Sequence, residues 1–419
     1  MFETSKEFAA FINGLDGNLW LVGGAVRDKL MGKIPNDFDY MITGVDVSRL
    51  PFERVVGDDF PVFLVEINEK KQEVAMARAE KKNGTGHKGF TFWTDSSVTV
   101  EEDLARRDLT INAMAEHVLH GRFVDPFDGR KDLKNGILRH VSEAFVEDPL
   151  RVFRIARFSA MLGFEVAEKT KELMRGMKEE LRSLPVERVW KELGKALSDE
   201  AKRPSKFFTL LKDVDVLDVF FPEVAALDVA DKHDGTAFLH TMKVLDVREC
   251  GTLIRFGLLT HDFGKGLTDK GLLPAHHGHD KTGPQAVERF CDRLKVPKDF
   301  KRFGMLSAAE HMRAKRAYGM RPGKFLRWKE GMKKNFVPLA LVSLLDSVGR
   351  ESVDWESGLV WFRPLMARVI LAQKAMSEVT GDMLLKEGMR EGKVLGDVLF
   401  QRRVELFKEL ENGKKGDQS

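Results

Sequence analysis

The sequence predicts an α+β protein in which a mixed head is followed by a helical remainder. Strand-like runs at 19–22, 61–67 and 123–125 are confined to residues 1–140. From Glu147 onward the apolar residues recur at helix period: Val152, Ile155, Phe158 and Leu162, then Leu173, Met177 and Leu181. A chain of 419 residues is too long for one ordinary core, so two or more domains are expected.

Hydrophobic residues make up 43% and charged residues 32% of the chain, the balance of a well-packed soluble protein. The formal net charge is only +3, which confines any nucleic-acid surface to a local patch. Cys250 and Cys291 lack metal-type spacing and read as inert thiols in a reducing cytosol. Residues 1–15 place Glu3, Glu7 and apolar residues at helical spacing, without the basic and apolar regions of a signal peptide. The longest strongly apolar stretch, 336–345, contains Pro338 and is too short to span a bilayer. A cytoplasmic protein with no membrane partner is expected.

In chain order, a buried strand at 19–22 ends in Gly23-Gly24, where the backbone can approach a ligand without a Cβ clash. A helix starts at this point, its N-terminal amides favouring a phosphate, and Arg27 on its first turns can reach a triphosphate. Asp37 and Asp39 alternate with Phe38, Tyr40 and Ile42, which predicts a strand with both carboxylates on one face. Two adjacent carboxylates repel unless a cation sits between them, and hard oxygen ligands suit Mg²⁺. This is a layout for in-line phosphoryl transfer assisted by two metal ions. Arg78 and the glycine-rich loop 81–89, with its lysines, suit a phosphate or RNA-backbone contact and equally a solvated hairpin. Arg106 and Arg107 are expected to point apart, with Arg107 functional and sharing a helical face with Asp108 and Asn112. Asp103 and Asp108 are candidates for a third metal carboxylate.

The motifs Leu21-Val-Gly-Gly-Ala-Val-Arg-Asp, Asp37-x-Asp39, Arg106-Arg-Asp-Leu-Thr-Ile-Asn112, Asp125-Pro-x-x-Gly129 and Glu147-Asp-Pro-Leu-Arg-Val-Phe-Arg154 occur in one order over the first half of the chain. In that order the sequence resembles the class II tRNA nucleotidyltransferase and bacterial poly(A) polymerase group. The resemblance implies a polymerase-β-like nucleotidyltransferase head followed by an all-α neck, body and tail. It makes Asp37 and Asp39 the catalytic Mg²⁺ ligands. It gives nucleotide-binding roles to Gly24, Arg27, Arg107, Asp108, Asn112, Asp148, Arg151, Arg154 and Arg157. On the residues alone, Asp148 is a helix N-cap and Pro149 the first helical residue. By the resemblance, Asp148 and Arg151 read the incoming base. A carboxylate accepts from the exocyclic amine that cytosine and adenine share, whereas uracil and guanine would present a carbonyl.

Histidines concentrate between His233 and His279, and His261-Asp262 follows an apolar run at 253–259 that reads as a buried helix. Buried adjacent His and Asp need a partner. The set resembles the HD phosphohydrolase domain, which implies His240, His261, Asp262 and Asp346 as ligands of a divalent transition metal such as Ni²⁺, Mn²⁺, Co²⁺ or Zn²⁺. His276, His277 and His279 would line that site or bind phosphate. It also implies hydrolysis of phosphate monoesters or 2′,3′-cyclic phosphates. Residues 312–334 carry nine Lys or Arg and one acid, Glu330, with Tyr318, Phe325 and Trp328 interleaved, a pattern suited to RNA. The expected division is a head at 1–140, a neck and body at 141–230, an inserted helical HD domain at 231–350 and a helical tail at 351–419 ending in a disordered segment.

The head and the HD domain together resemble multifunctional bacterial CCA-adding enzymes. The implied activity is untemplated addition of CCA to the tRNA 3′ end from CTP and ATP, by a monomer or homodimer. Poly(A), CC-only and A-only addition share the head motifs. A metal-dependent phosphohydrolase with a silent head and a non-catalytic RNA-binding module are the alternatives of other classes.

Overall fold

The computed structural model describes residues 2–52, 54–56, 62–82, 90–93, 96–232, 234–350 and 352–416. It divides into two compact units, Met1–Ala196 with Ala201–Val219, and Leu197–Glu200 with Phe220–Ser419.

Nine strands build the N-terminal part of the first unit, and a further two-stranded pair joins Ile137–Leu138 to Glu165–Val166. The nine are β1 (Asn18–Val22), β2 (Tyr40–Thr43), β3 (Arg54–Val56), β4 (Val62–Ile67), β5 (Lys70–Met76), β6 (Ala79–Lys82), β7 (Phe90–Trp93), β8 (Ala115–His117) and β9 (Phe123–Val124). Seven of them form one sheet in the order β3-β4-β5-β2-β1-β8-β9, and β6 and β7 pair separately. β1 lies antiparallel to both β2 and β8, with Leu21 opposite Tyr40 and Trp20 opposite His117. β2 runs parallel to β5. Alternation along β1 divides its side chains between two cores. Leu19 packs with Phe8, Ile12, Ile42, Phe63 and Val74 on one face. Trp20 and Val22 pack with Met41, Val100, Leu104 and Ala115 on the other. The first face is covered by α1 (Ser5–Asn13), capped by Thr4, and the second by α3 (Val100–Ala105), which opens with a capping box between Thr99 and Glu102. Between them, α2 (Gly24–Leu30) leaves the end of β1, as the glycine pair predicts.

Asp37 and Asp39 are not on a strand as expected. β2 begins only at Tyr40, and the two carboxylates lie on the segment that enters it, where the carbonyl of Asp39 still accepts from the amide of Val22 at 3.0 Å. The Asp125 motif is a scaffold. The Asp125 carboxylate accepts from the amides of Gly129 and Arg130 at 2.6 and 3.0 Å and fixes the start of α4 (Gly129–Asn135). A Cβ at Gly129 would stand 2.3 Å from the carbonyl oxygen of Thr110, so only glycine lets α4 close on the turn at Thr110–Asn112.

From α5 (Leu150–Leu162) onward the chain is helical, as its periodicity predicts. In the second unit the apolar run becomes the helix Thr252–Thr260, packed with the helices Ala237–Asp246, Lys298–Arg316 and Phe336–Val348. The last helix runs Lys393–Gly416, so the expected disorder from Gly413 is replaced by helix as far as Gly416, and 417–419 lie outside the described residues. Residues 83–89 of the predicted contact loop also lie outside them. No described helix is long and apolar enough to cross a membrane.

Candidate functional site

A cavity of about 440 Å³ opens in the first unit, lined by Gly23, Gly24, Asp39, Asp108, Asn112, Asp148, Leu150, Phe158 and seven arginines: 27, 106, 107, 151, 154, 157 and 188. Glycine is required at its floor. Gly23 has φ +66°, and a Cβ there would lie 2.7 Å from Arg107 Nη1 and 3.8 Å from Asp39 Oδ2. Asp39 is exposed to the cavity. Lost solvation raises its pKa, with Asp37 and Glu73 adding to the rise and Arg107 and Arg27 opposing it. A raised carboxylate beside a second carboxylate is the electrostatic arrangement a divalent cation relieves.

The wall is a single polar chain. Arg27 Nη1 donates to Asn112 Oδ1 at 2.7 Å, Asn112 Nδ2 to Asp108 Oδ1 at 3.1 Å, and Arg154 Nε to Asp108 Oδ2 at 2.8 Å. Burial pushes the Asp108 carboxyl up, but Arg154 and the hydrogen bond from Asn112 outweigh it and bring its pKa to about 2. Arg151, Arg154, Arg157 and Phe158 share one face of α5 by their helical spacing. Three guanidinium groups surround the Phe158 ring, Arg157 at 4.0 Å, Arg27 at 5.2 Å and Arg154 at 5.9 Å from its centroid. Arg157 is held by Glu192 of the helix Val186–Ala196 at 2.5 Å, both side chains buried.

Four local expectations need correction. Arg107, Asp108 and Asn112 do not share one helix: α3 ends at Ala105, and Asn112 closes the short turn Thr110–Asn112. Arg106 and Arg107 do not diverge into separate roles either. Both reach the buried Asp103 carboxylate at 3.1 Å, one on each oxygen, and both line the cavity. Asp103 is thereby neutralised by two arginines and fits poorly as a metal ligand, as does Asp108 with its partners Arg154 and Asn112. Asp148 is not the N-cap, nor Pro149 the first helical residue: Pro149 occupies the N-cap and α5 begins at Leu150. Asp148 Oδ1 accepts from the amide of Leu150 at 3.1 Å, and Oδ2 faces Arg188 at 3.5 Å. Arg151 donates to the carbonyls of Ala144 and Arg106, each at 2.6 Å.

The second unit holds a buried cluster of histidines and aspartates. His240, His261 and Asp346 form one group, and Asp262, His279 and His311 a second; within each, one ligand atom per residue lies within 4.8 Å of the others. The Nδ1 atoms of His261, His279 and His311 lie 2.7, 2.7 and 2.9 Å from the carbonyl oxygens of Leu258, His276 and Ser307. That fixes the tautomer and presents each Nε2 to the carboxylates. Nε2 of His261 and of His279 is buried with no hydrogen-bond partner among the described residues. Burial alone would strip the proton from His261, yet the Asp262 and Asp346 carboxylates outweigh it and raise its pKa to about 10. Unpartnered imidazole nitrogens in a negative potential fit a divalent transition metal. Asp262 joins the two groups, with Oδ2 at 3.2 Å from His261 Nε2 and Oδ1 at 3.4 Å from His279 Nε2. Gly264 permits this closeness: a Cβ there would lie 2.0 Å from the carbonyl oxygen of His279.

The sequence-derived quartet is thus gathered but divided between two groups. Of the flanking histidines, His279 joins the cluster, His276 is occupied by Thr268 and the carbonyl of Ala230, and His277 is exposed. His311 was missed, since it stands alone in a basic helix. The aromatic residues of the basic stretch are not a stacking platform: Phe325 and Trp328 are buried, and only Tyr318 is exposed.

Residues 19–139 match the family described as the poly A polymerase head domain, and 163–227 the probable RNA and SrmB-binding site of polymerase A. A multifunctional CCA protein of Thioalkalivibrio sulfidiphilus is 38% identical over 93% of this chain and 98% of its own. Another, of Laribacter hongkongensis, is 47% identical over 74% of this chain and 78% of its own. The chain belongs to the multifunctional CCA protein family. Its fold is also that of a Thermotoga maritima CCA-adding enzyme solved with tRNA, with TM-score 0.64 and 20% identity over 97% of this chain and 93% of the other. Arg188, which lines the pocket, and Glu192, which holds Arg157 from behind it, are the residues that sequence reading missed, because neither lies in a head motif and their partners, Asp148 and Arg157, lie far away in the sequence.

Proposed function

We propose that this chain is a CTP(ATP):tRNA nucleotidyltransferase that builds the 3′-terminal CCA without a nucleic-acid template. The observation that carries the reading is the carboxylate Asp39 over Gly23, facing a cavity walled by arginines, in a chain whose relatives are multifunctional CCA proteins. In the step assigned here, the terminal 3′-hydroxyl oxygen of tRNA bonds to the α-phosphorus, the bond from that phosphorus to the bridging oxygen breaks and pyrophosphate leaves. The hydroxyl proton passes to water. Asp37 and Asp39 would hold Mg²⁺, which supplies charge neutralisation for the triphosphate and the developing alkoxide. Arg27, Arg107, Arg154 and Arg157 bind the negative triphosphate, and Gly24 opens the helix that receives it. Asp108 and Asn112 hold Arg27 and Arg154 in place. Asp148 accepts from the exocyclic amine of the incoming base while Arg151 supplies the guanidinium beside it. tRNA 3′ ends, CTP and ATP are the assigned substrates, and the cytoplasm is where they meet.

The second unit, taken as an HD domain within 231–350, is assigned hydrolysis of phosphate monoesters or cyclic phosphates. His240, His261, Asp262 and Asp346 would hold a transition metal such as Ni²⁺, with His279 and His311 beside them. Incorporation of labelled CTP and ATP into a tRNA transcript lacking CCA, resolved on a sequencing gel, tests the first assignment. A product that stops at CCA is expected. A long A ladder, CC alone or A alone would move the chain to a sister activity, and no extension by folded protein would sink the transferase reading.

A further inference from the structure

Beside the histidine cluster lies a cavity of about 390 Å³ whose wall includes Lys315, Arg316, Tyr318, Asp346, Arg350 and Trp361. Asp346 is shared: it is also a member of the group with His240 and His261. Lys315 and Arg316 form no ion pair among the described residues, and Arg350 Nη2 stands 3.5 Å from Asp346 Oδ1. Trp361 is only 8% exposed, and its Nε1 is buried without a hydrogen-bond partner among the described residues. Burial, together with the Arg350 charge, also holds the Lys315 ammonium below the ordinary lysine range.

A substrate with a single phosphoester at the histidine cluster would leave these donors unused. We propose that this cavity binds a second anionic group of the substrate, the phosphodiester that precedes a terminal nucleotide, so that the centre acts on RNA ends in preference to isolated mononucleotides. The inference rests on the reading of the histidine cluster as a hydrolytic centre and names the substrate class of that site. Lys315, Arg316 and Arg350 supply charge-assisted donors to the phosphodiester oxygens. Tyr318, 49% exposed at the same cavity, offers a ring face to a base. The chemistry at the cluster is ordinary hydrolysis: a water oxygen bonds to phosphorus, one ring P–O bond of a 2′,3′-cyclic phosphate breaks, and a water proton goes to the departing oxygen.

The test uses the full-length, nickel-loaded protein with two substrates, adenosine 2′,3′-cyclic phosphate and the dinucleotide ApA ending in the same cyclic phosphate. The dinucleotide should be favoured in kcat/KM by at least about ten-fold, chiefly through KM, the difference one charge-assisted hydrogen bond makes. Lys315→Ala and Arg316→Ala should each shrink that preference while nickel content, read by elemental analysis, stays at the wild-type value. A wild-type ratio near one overturns the inference, as does a ratio unchanged in both variants. Nickel loss in Lys315→Ala also overturns it, since Lys315 would then act on the cluster's structure. If neither cyclic phosphate nor bis(p-nitrophenyl) phosphate is hydrolysed, the hydrolytic reading itself falls; hydrolysis of all three without preference removes only the cavity's role.

Discussion

The arginine-walled pocket of the first unit and the histidine cluster of the second meet opposite electrostatic demands. In the pocket the carboxylate expected to hold metal, Asp39, is exposed, and the surrounding charge is positive and largely tied to protein partners such as Asp103, Asp108 and Glu192. In the cluster every member of the two groups is buried, and the bare nitrogens point at carboxylates inside the fold. The pocket is therefore arranged to be completed by its substrates, which bring their own negative charge. The cluster is complete in its ligands before any substrate arrives. Function and stability should accordingly separate in the pocket and coincide in the cluster.

The sharpest way to break that contrast is Asp39→Ala. Nucleotide incorporation should fall by roughly a thousand-fold or more, since charge neutralisation at the reacting phosphate is lost. The unfolding free energy should stay within about 0.5 kcal/mol of wild type, as for other exposed positions. His261→Ala should instead lower both hydrolysis and the midpoint; equal stability losses in the two variants would erase the distinction. Behind the pocket, Glu192→Ala leaves Arg157 buried without its carboxylate and should cost about 3–5 kcal/mol in denaturant unfolding. A loss below about 1 kcal/mol would mean that Arg157 is not held as the structure has it.

Metal addition sharpens the comparison from the other side. Nickel at a hundred-fold excess over its Kd should stabilise the protein by about 2.7 kcal/mol if it binds only the folded state, and Asp346→Ala should remove that gain. The same nickel should add nothing in a protein whose cluster is built only for packing. The smallest effect is acid sensitivity. The pKa of Asp108 is about 2 when folded and about 3.9 when unfolded. Its contribution, roughly 2 kcal/mol, is fully present above pH ~4 and lost as pH falls toward 2. Asp108→Asn should flatten the stability profile in that window, and an unchanged slope would move the effect to another carboxylate.

Legibility in the sequence followed the range of the interactions. Strands and helices set by local period were readable: β1 and β4, α5 and the helix Thr252–Thr260 lie where the patterns put them. Of the residues given catalytic or nucleotide-binding roles, from Gly24 to Arg157, all but Asp37 line one cavity. What failed was side-chain direction. Arg106 and Arg107 sit side by side in sequence, and only the position of Asp103 one turn earlier decides that both fold back on it. The strand expected at Asp37 failed because polar alternation before Tyr40 mimics a ladder that does not extend that far. Arg188, Glu192 and His311 were invisible because their partners lie dozens of residues away, at Asp148, Arg157 and Asp262. Such pairs leave no spacing to read.

The missing methyl group at Gly264 has a consequence for ion choice. With the backbone of that residue against the carbonyl of His279, the turn that carries Asp262 and the helix that carries His279 are set at one span. That span works as a calliper on ionic radius. Relaxing it with a side chain at 264 would drive the two elements apart, and the cluster's ranking of cations should drift from small ions such as Ni²⁺ toward larger ones such as Mn²⁺.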